Sequence, residues 1–285
     1  MQSWIRRILN GACGKSNPEI GLHVAGRRDT FSKMKSAEFL AVTVFVFLAA
    51  SASTHAAGVP EVITKAVEHA NRPEEDRARD ADRRPGEVLA FLGIEPGMTV
   101  ADLIAGSGYY SDILCRVVGP DGKVYLQNNS YVLERFGKVM EPAIEKRLSR
   151  PELAHCVRLD SELDALPFEE GELDAVLMVL FYHDTYWQKV DREKMNAQVL
   201  RALAPGGVYG IVDHHAETGS RDRDVKTIHR VDAEMVKEEI LAAGFTLEAE
   251  SQILRHPDDD LSKNVFAPGI RGKTDRFVYK FRKPK

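Results

Sequence analysis

From Thr99 onward the chain alternates two kinds of segment, and this alternation limits the fold more than any single motif does. Short runs rich in apolar and β-branched residues, Thr99 to Ile104, Lys123 to Gln127, His155 to Leu159, Asp174 to Phe181 and Val208 to Asp213, are separated by longer stretches with another period. In Tyr109 to Val118, residues Tyr110, Leu114 and Val117 fall on one stripe, and in Arg192 to Leu203 Met195, Val199 and Leu203 do the same. Apolar residues three and four apart build one face of a helix. Asp174 to Phe181 is almost continuously apolar, as in a strand covered on both faces. Pro96-Gly97, Gly119-Pro-Asp-Gly122 and Pro205-Gly-Gly207 mark turns. Tyr131 to Leu148 has helical spacing, with Pro142 expected to kink or restart it. Asp232 reads as the cap of a helix that buries Val236, Ile240 and Ala243 and stops at Gly244. Thr246 to Leu254 and Arg276 to Phe281 read as the closing strands. Strands alternating with helices imply an α/β fold, a mainly parallel sheet with helices on both faces.

The N-terminal part reads differently. Phe39 to Ala50 is an uncharged apolar run, too short for an ordinary membrane span and right for the core of a secretion signal. Lys33 and Lys35 flank it, and Thr54-His55-Ala56 offers a small-residue exit. Met34 opens a more normal leader than Met1 does, so the expected start lies near Met34; Arg27-Arg28 reads as a chance pair. The expected plan is an extension and signal peptide over 1–56, a helical cap over 57–95 and the α/β domain over 96–285. The mature protein is expected in the periplasm or outside the cell, with no membrane span once the signal is removed. In the cap, Val62 to Ala70 reads as a helix and the charge run Arg72 to Arg84 as a solvated face.

Composition excludes some partners. The formal net charge is -4, and no basic stripe with interleaved aromatics is present, so nucleic acid is not expected as a partner. The three cysteines, Cys13, Cys115 and Cys156, form no CxxC pair. Cys115 and Cys156 could form a disulfide in an oxidising compartment; two buried free thiols are the preferred reading.

The turn after the first strand carries Asp102-Leu-Ile-Ala-Gly106-Ser107-Gly108-Tyr109-Tyr-Ser111. Glycines there let backbone approach a ligand, and the following helix presents free N–H groups and a positive dipole end. A nicotinamide fingerprint would place a third glycine where Ser111 stands. This segment resembles the first motif of the class I S-adenosylmethionine-dependent methyltransferases. The resemblance continues through Ala165-Leu-Pro-Phe168 with Glu172-Leu-Asp-Ala-Val176, Arg201-Ala-Leu-Ala-Pro-Gly-Gly207, Ala242-Ala-Gly-Phe245 and Arg276-Phe-Val-Tyr-Lys-Phe281. More narrowly, the chain is similar to a group of exported predicted methyltransferases. The resemblance implies a Rossmann-like seven-stranded sheet with an antiparallel last strand, and S-adenosylmethionine as cofactor. It implies that Gly106, Ser107, Gly108 and Tyr109 line the cofactor and that Asp102 orders the loop or binds the cofactor's amino group. Asn128, where the family carries a carboxylate, would face the ribose, and Asp160 or Glu162, with Asp160 preferred, the adenine.

Methyl transfer needs an acceptor nucleophile in line with the sulfonium methyl, often with a base beside it. Residues beyond the fourth and fifth strands face that position: Tyr182-His183-Asp184 and Asp213-His214-His215. Histidine titrates near neutrality, so His183 and His214 are the candidate catalytic residues, for a small-molecule methyl acceptor. The two clusters could instead converge on a divalent metal, but no HxxxH-type spacing is present and no metal is assigned. His229 lies in a polar connection and reads as a lid residue or a loop organiser.

Overall fold

The computed structural model describes residues 58–285, so the expected leader lies outside the described residues. Four short helices come first: α1 (Glu61–Val67), α2 (Glu74–Arg77), α3 (Asp80–Arg83) and α4 (Pro85–Leu92). Proline at the first position of α4 lacks only an N–H that the helix would not have used. The alternating part follows as β1 (Thr99–Leu103), α5 (Tyr109–Val118), β2 (Lys123–Asn128), α6 (Ser130–Leu148), β3 (Cys156–Asp160), β4 (Leu173–Val179), α7 (Tyr182–Trp187), α8 (Arg192–Ala202), β5 (Leu203–His214), α9 (Ala233–Ala242), β6 (Thr246–Ser251) and β7 (Arg276–Arg282).

The seven strands form one sheet in the order β3-β2-β1-β4-β5-β7-β6. β1 pairs in parallel with β2 and β4, β2 with β3, and β4 with β5. β7 runs antiparallel to both β5 and β6. This is the Rossmann-like sheet that the alternation and the resemblance imply. The chain builds outward from β1 in one direction, then returns to build outward from β4. The crevice between those two strands is the switch point at which open α/β sheets bind ligands.

Strand alternation divides the core. Val100, Ala175 and Leu177 point to a layer formed with Ile63, Leu89, Leu92, Ile113 and Leu114. Ala101, Leu103, Val176 and Met178 point to the opposite layer with Met195, Val199, Val236 and Ile240. α1 and α4 therefore share a core with the sheet. Among the described residues no helix is long and apolar enough to cross a membrane.

Several local features depart from expectation. α6 runs unbroken through Pro142. β5 starts at Leu203, before Pro205-Gly-Gly207, and the turn signal becomes an irregularity in its pairing with β4. Cys115 and Cys156 are joined by a disulfide, with their Cα atoms 6.0 Å apart, which replaces the free-thiol reading. The two residues are far apart in sequence, and the pairing of β2 with β1 and β3 brings them together. The charge run 72–84 is not a solvated face throughout. Arg72 and Asp76 are buried, Arg72 on Asp80 and the carbonyl of Val67, Asp76 on Arg147 of α6.

Candidate active site

The carboxyl ends of β1 and β4 open onto a cavity of about 600 Å3. Its floor is the glycine loop. Gly106 and Gly108 have φ of +60° and +88°, a region that favours glycine, but for different ends. A Cβ on Gly106 would meet nothing within 4 Å; a Cβ on Gly108 would lie 2.7 Å from Leu126 Cδ1 and 3.0 Å from Arg147. Gly106 thus leaves room for a ligand, and Gly108 makes room for the protein. Ile104 and Leu180, which follow β1 and β4, also line the cavity with positive φ, 52° and 59°. For a β-branched residue such as Ile104 that conformation is strained, and such strain gathers at functional sites.

The loop is held from below. Asp102 is buried and accepts a hydrogen bond from Ser111 Oγ at 2.7 Å. Burial pushes its carboxyl up to about 7, although the Ser111 bonds and the positive fields of Arg83 and Arg147 oppose this. Asp102 therefore orders the start of α5 and stands behind the cavity, not in its lining. Asn128 ends β2, where the resemblance puts the ribose residue, and its amide is bonded to the glycine loop. Its Oδ1 accepts from the Gly106 N–H at 2.9 Å and its Nδ2 donates to the Gly106 carbonyl at 3.0 Å. A carboxylate could not make the second bond, because it has no donor. Asp160 ends β3 and pairs with Arg158; it is not part of the cavity lining. Ser107 and Tyr109 do line the cavity. The Tyr109 hydroxyl donates to Asp80 at 2.6 Å, and the guanidinium groups of Arg79 and Arg83 each lie 4.7 Å from its ring centroid.

Sequence reasoning missed Arg147. This buried side chain donates to the Ser107 carbonyl at 3.0 Å and pairs with both Asp76 and Asp112. It ties α6, α5 and the N-terminal charge run to the glycine loop. Its signal was the charge run itself, since a carboxylate inside such a run can reach a buried partner. The cavity walls carry Arg79, Arg83, Arg135 and Lys226 against one carboxylate, Asp184. Among the described residues Arg83 has no carboxylate partner.

The two candidate histidines differ. His183 is buried behind the lining. Its Nδ1 lies 2.8 Å from Asp213 Oδ1, and its backbone N–H donates to Asp213 Oδ2 at 2.8 Å. Burial opposes a charge on this ring, but Asp213 and Asp184 outweigh it and raise the pKa to about 10. Burial, with His183, Arg276 and Arg230 nearby, pushes His214 well below its ordinary value. Its Nδ1 contacts the Thr274 hydroxyl at 2.8 Å, and it faces a basic recess beside the main cavity, shared with Arg83, Arg271 and Arg276. The histidine in the cavity wall is His229, beside Asp184.

This arrangement, a parallel sheet with an antiparallel seventh strand and a glycine loop at the switch point, is the class I S-adenosylmethionine-dependent methyltransferase fold. A solved S-adenosylmethionine-dependent methyltransferase from Aquifex aeolicus superposes with a TM-score of 0.54 at 19% identity, over 73% of this chain and 94% of that one. The geranyl diphosphate C-methyltransferase of Streptomyces coelicolor, solved with Mg2+, geranyl diphosphate and S-adenosyl-L-homocysteine, gives 0.52 at 11% identity, over 76% and 87%. In sequence, the chain is 30% identical over 122 residues to the ubiquinone/menaquinone biosynthesis C-methyltransferase of Francisella tularensis subsp. novicida, covering 42% of this chain. It is 25% identical over 184 residues to that of Shewanella halifaxensis, covering 62% of this chain. The matches span 44% and 68% of those relatives' own lengths. No protein-family model matches the chain.

Proposed function

We propose that this protein is an exported S-adenosylmethionine-dependent methyltransferase acting on a small anionic acceptor. The observation that carries the reading is the open space over Gly106, at the switch point of a sheet shared with known methyltransferases. The residues suit the cofactor. Backbone at Gly106 and Ser107 is free for close approach, and the basic wall complements a carboxylate. Tyr131 and Trp187 pack edge to face at 5.4 Å in the lining and offer an aromatic surface for adenine. The relatives' methyltransferase activity points the same way. Arg79 is paired with Asp76, and the excess of Arg83, Arg135 and Lys226 over Asp184 favours an acceptor bearing a carboxylate, phosphate or phenolate.

Titration calorimetry with S-adenosylmethionine and S-adenosylhomocysteine tests the cofactor. Binding of neither, with binding of NAD instead, would overturn the assignment. Transfer of labelled methyl to a panel of anionic and neutral acceptors tests the rest, and preference for neutral acceptors would remove the anionic class. The second reading, a binding module without catalysis, draws on Asn128, whose engagement with Gly106 leaves the family's ribose carboxylate without a counterpart at that position. Tight binding with no transfer to any acceptor would favour it. Export is supported by the leader-like run and by the disulfide, which persists in oxidising compartments. N-terminal sequencing from the native host should find a start near Ala57; an intact Met1 or Met34 refutes it.

A further inference from the structure

We propose that His183, Asp184 and His229 form a binding site for one first-row divalent cation of the kind that prefers imidazole, at the edge of the main cavity. His183 and Asp184 lie in the first turn of α7, and His229 lies in the connection between β5 and α9. Their atoms converge: His183 Nε2 is 3.0 Å from Asp184 Oδ1, His229 Nδ1 is 3.2 Å from the same oxygen, and the two ring nitrogens are 3.3 Å apart. A cation about 2.1 Å from each atom would see these separations at angles of about 90–105°, between the octahedral and tetrahedral values, with ordinary metal–ligand distances. Two histidines and one carboxylate on one face is a recurrent transition-metal arrangement that leaves other positions open.

Three further observations support the site. Asp184 Oδ1 also accepts from Trp187 Nε1 at 2.8 Å, so one oxygen faces three ring nitrogens. A cation between that oxygen and the two imidazoles turns this crowding into ligation, with Trp187 orienting the carboxylate. Behind His183, the fully buried Asp213 receives Nδ1, which fixes the ring and leaves Nε2 as the ligand atom. This is the carboxylate–histidine pairing that supports metal-bound imidazoles. On the other side, His229 is held at φ 57°, an uncommon conformation for a non-glycine residue. Asp184 and His229 both line the cavity, so the open positions face the space assigned above to the acceptor. The site stands without the methyltransferase reading; that its open positions take an acceptor oxygen, nitrogen or sulfur rests on it.

The test uses untagged protein, stripped with chelator and titrated with Co2+ by calorimetry and visible absorption, without cofactor. One Co2+ per chain with a ligand-field band is expected, displaced by Zn2+ and not by Mg2+, which prefers oxygen ligands. His229→Gly suits the left-handed backbone and should keep the thermal midpoint while losing the band and at least tenfold in affinity. Asp213→Asn should lower affinity about 10–100-fold, as loss of an orienting carboxylate does. No stoichiometric Co2+, wild-type binding by His229→Gly, or preference for Mg2+ overturns the site. A protein that binds Co2+ but not S-adenosylhomocysteine keeps the site and refutes the methyltransferase reading; the converse refutes the site alone.

Discussion

Gly106 and Gly108 stand two residues apart in one loop, and the same substitution should affect them through different quantities. Gly108→Ala places a side chain at φ +88°, which costs about 1–2 kcal/mol for a left-handed non-glycine residue. It also drives a methyl group to 2.7 Å from Leu126 Cδ1 and 3.0 Å from Arg147. Arg147 cannot swing away without leaving Asp76, Asp112 and the Ser107 carbonyl. Overpacking of this kind adds about 1–3 kcal/mol. The sum, about 2–5 kcal/mol, corresponds to a midpoint lowered by about 4–20 °C at ~2–4 °C per kcal/mol for a domain of this size. Gly106→Ala has the backbone term alone, because its Cβ meets nothing within 4 Å. Its midpoint should fall by only a few degrees. Gly106→Val adds β-branched strain at φ +60° and should melt below Gly106→Ala while still folding, and because its side chain stands where the cofactor must lie, binding should be abolished in the folded protein. Thermal melts followed by circular dichroism, with calorimetry of S-adenosylhomocysteine on each variant, separate the two effects. Gly108→Ala melting with the wild type, or Gly106→Val binding with unchanged affinity, would refute this account of the loop.

Other perturbations have expected outcomes as well. Asn128→Ala leaves the N–H and carbonyl of Gly106 without the partners they have now, each worth about 1–3 kcal/mol where buried, so calorimetric affinity should fall along with the melting midpoint. Asp102 has a folded pKa raised to about 7, so its contribution to stability is fully present below about pH 4 and is lost as pH rises through 7. Asp102→Asn should remove that part of the pH dependence in denaturant titrations between pH 4 and 8; an unchanged slope would show that the carboxyl is not perturbed. Reducing the disulfide that joins Cys115 and Cys156, 41 residues apart, should cost about 4 kcal/mol in the chain-entropy model. A melt with and without reductant checks this, and equal midpoints would count against the bridge.

The parts of this protein that follow local rules were legible in the sequence. The strands of the parallel core, the turn at Gly119 to Gly122 and the cap at Asp232 rest on periodicity and turn chemistry, which act over a few residues. Asn128 shows where that reading fails. Its place at the end of β2 was clear, but not whether its amide turns outward to a ligand or inward to Gly106, which depends on the neighbouring strand. Arg72 and Asp76 were hidden among exposed neighbours of the same type, and only contact with Asp80 and Arg147 explains their burial. The disulfide needed the sheet order before two distant cysteines could be known as neighbours. The pairing of His229 with His183 and Asp184 spans 46 residues and has no local spacing to announce it.

The insertion of β7 between β5 and β6 has a consequence for how the chain is made. Along the direction of synthesis, β6 emerges with β7, its partner in the sheet, still unmade, and β5 waits with one bare edge until Arg276–Arg282 arrive. The sheet therefore cannot close one strand at a time behind the ribosome. Until the last strand is made, the nascent chain presents open ladder edges of the kind that recruit chaperones or drive aggregation. A chain cut before Arg276 would lose two sets of strand pairings, leaving β6 detached and the apolar faces of Phe277, Val278 and Phe281 missing from both layers of the core.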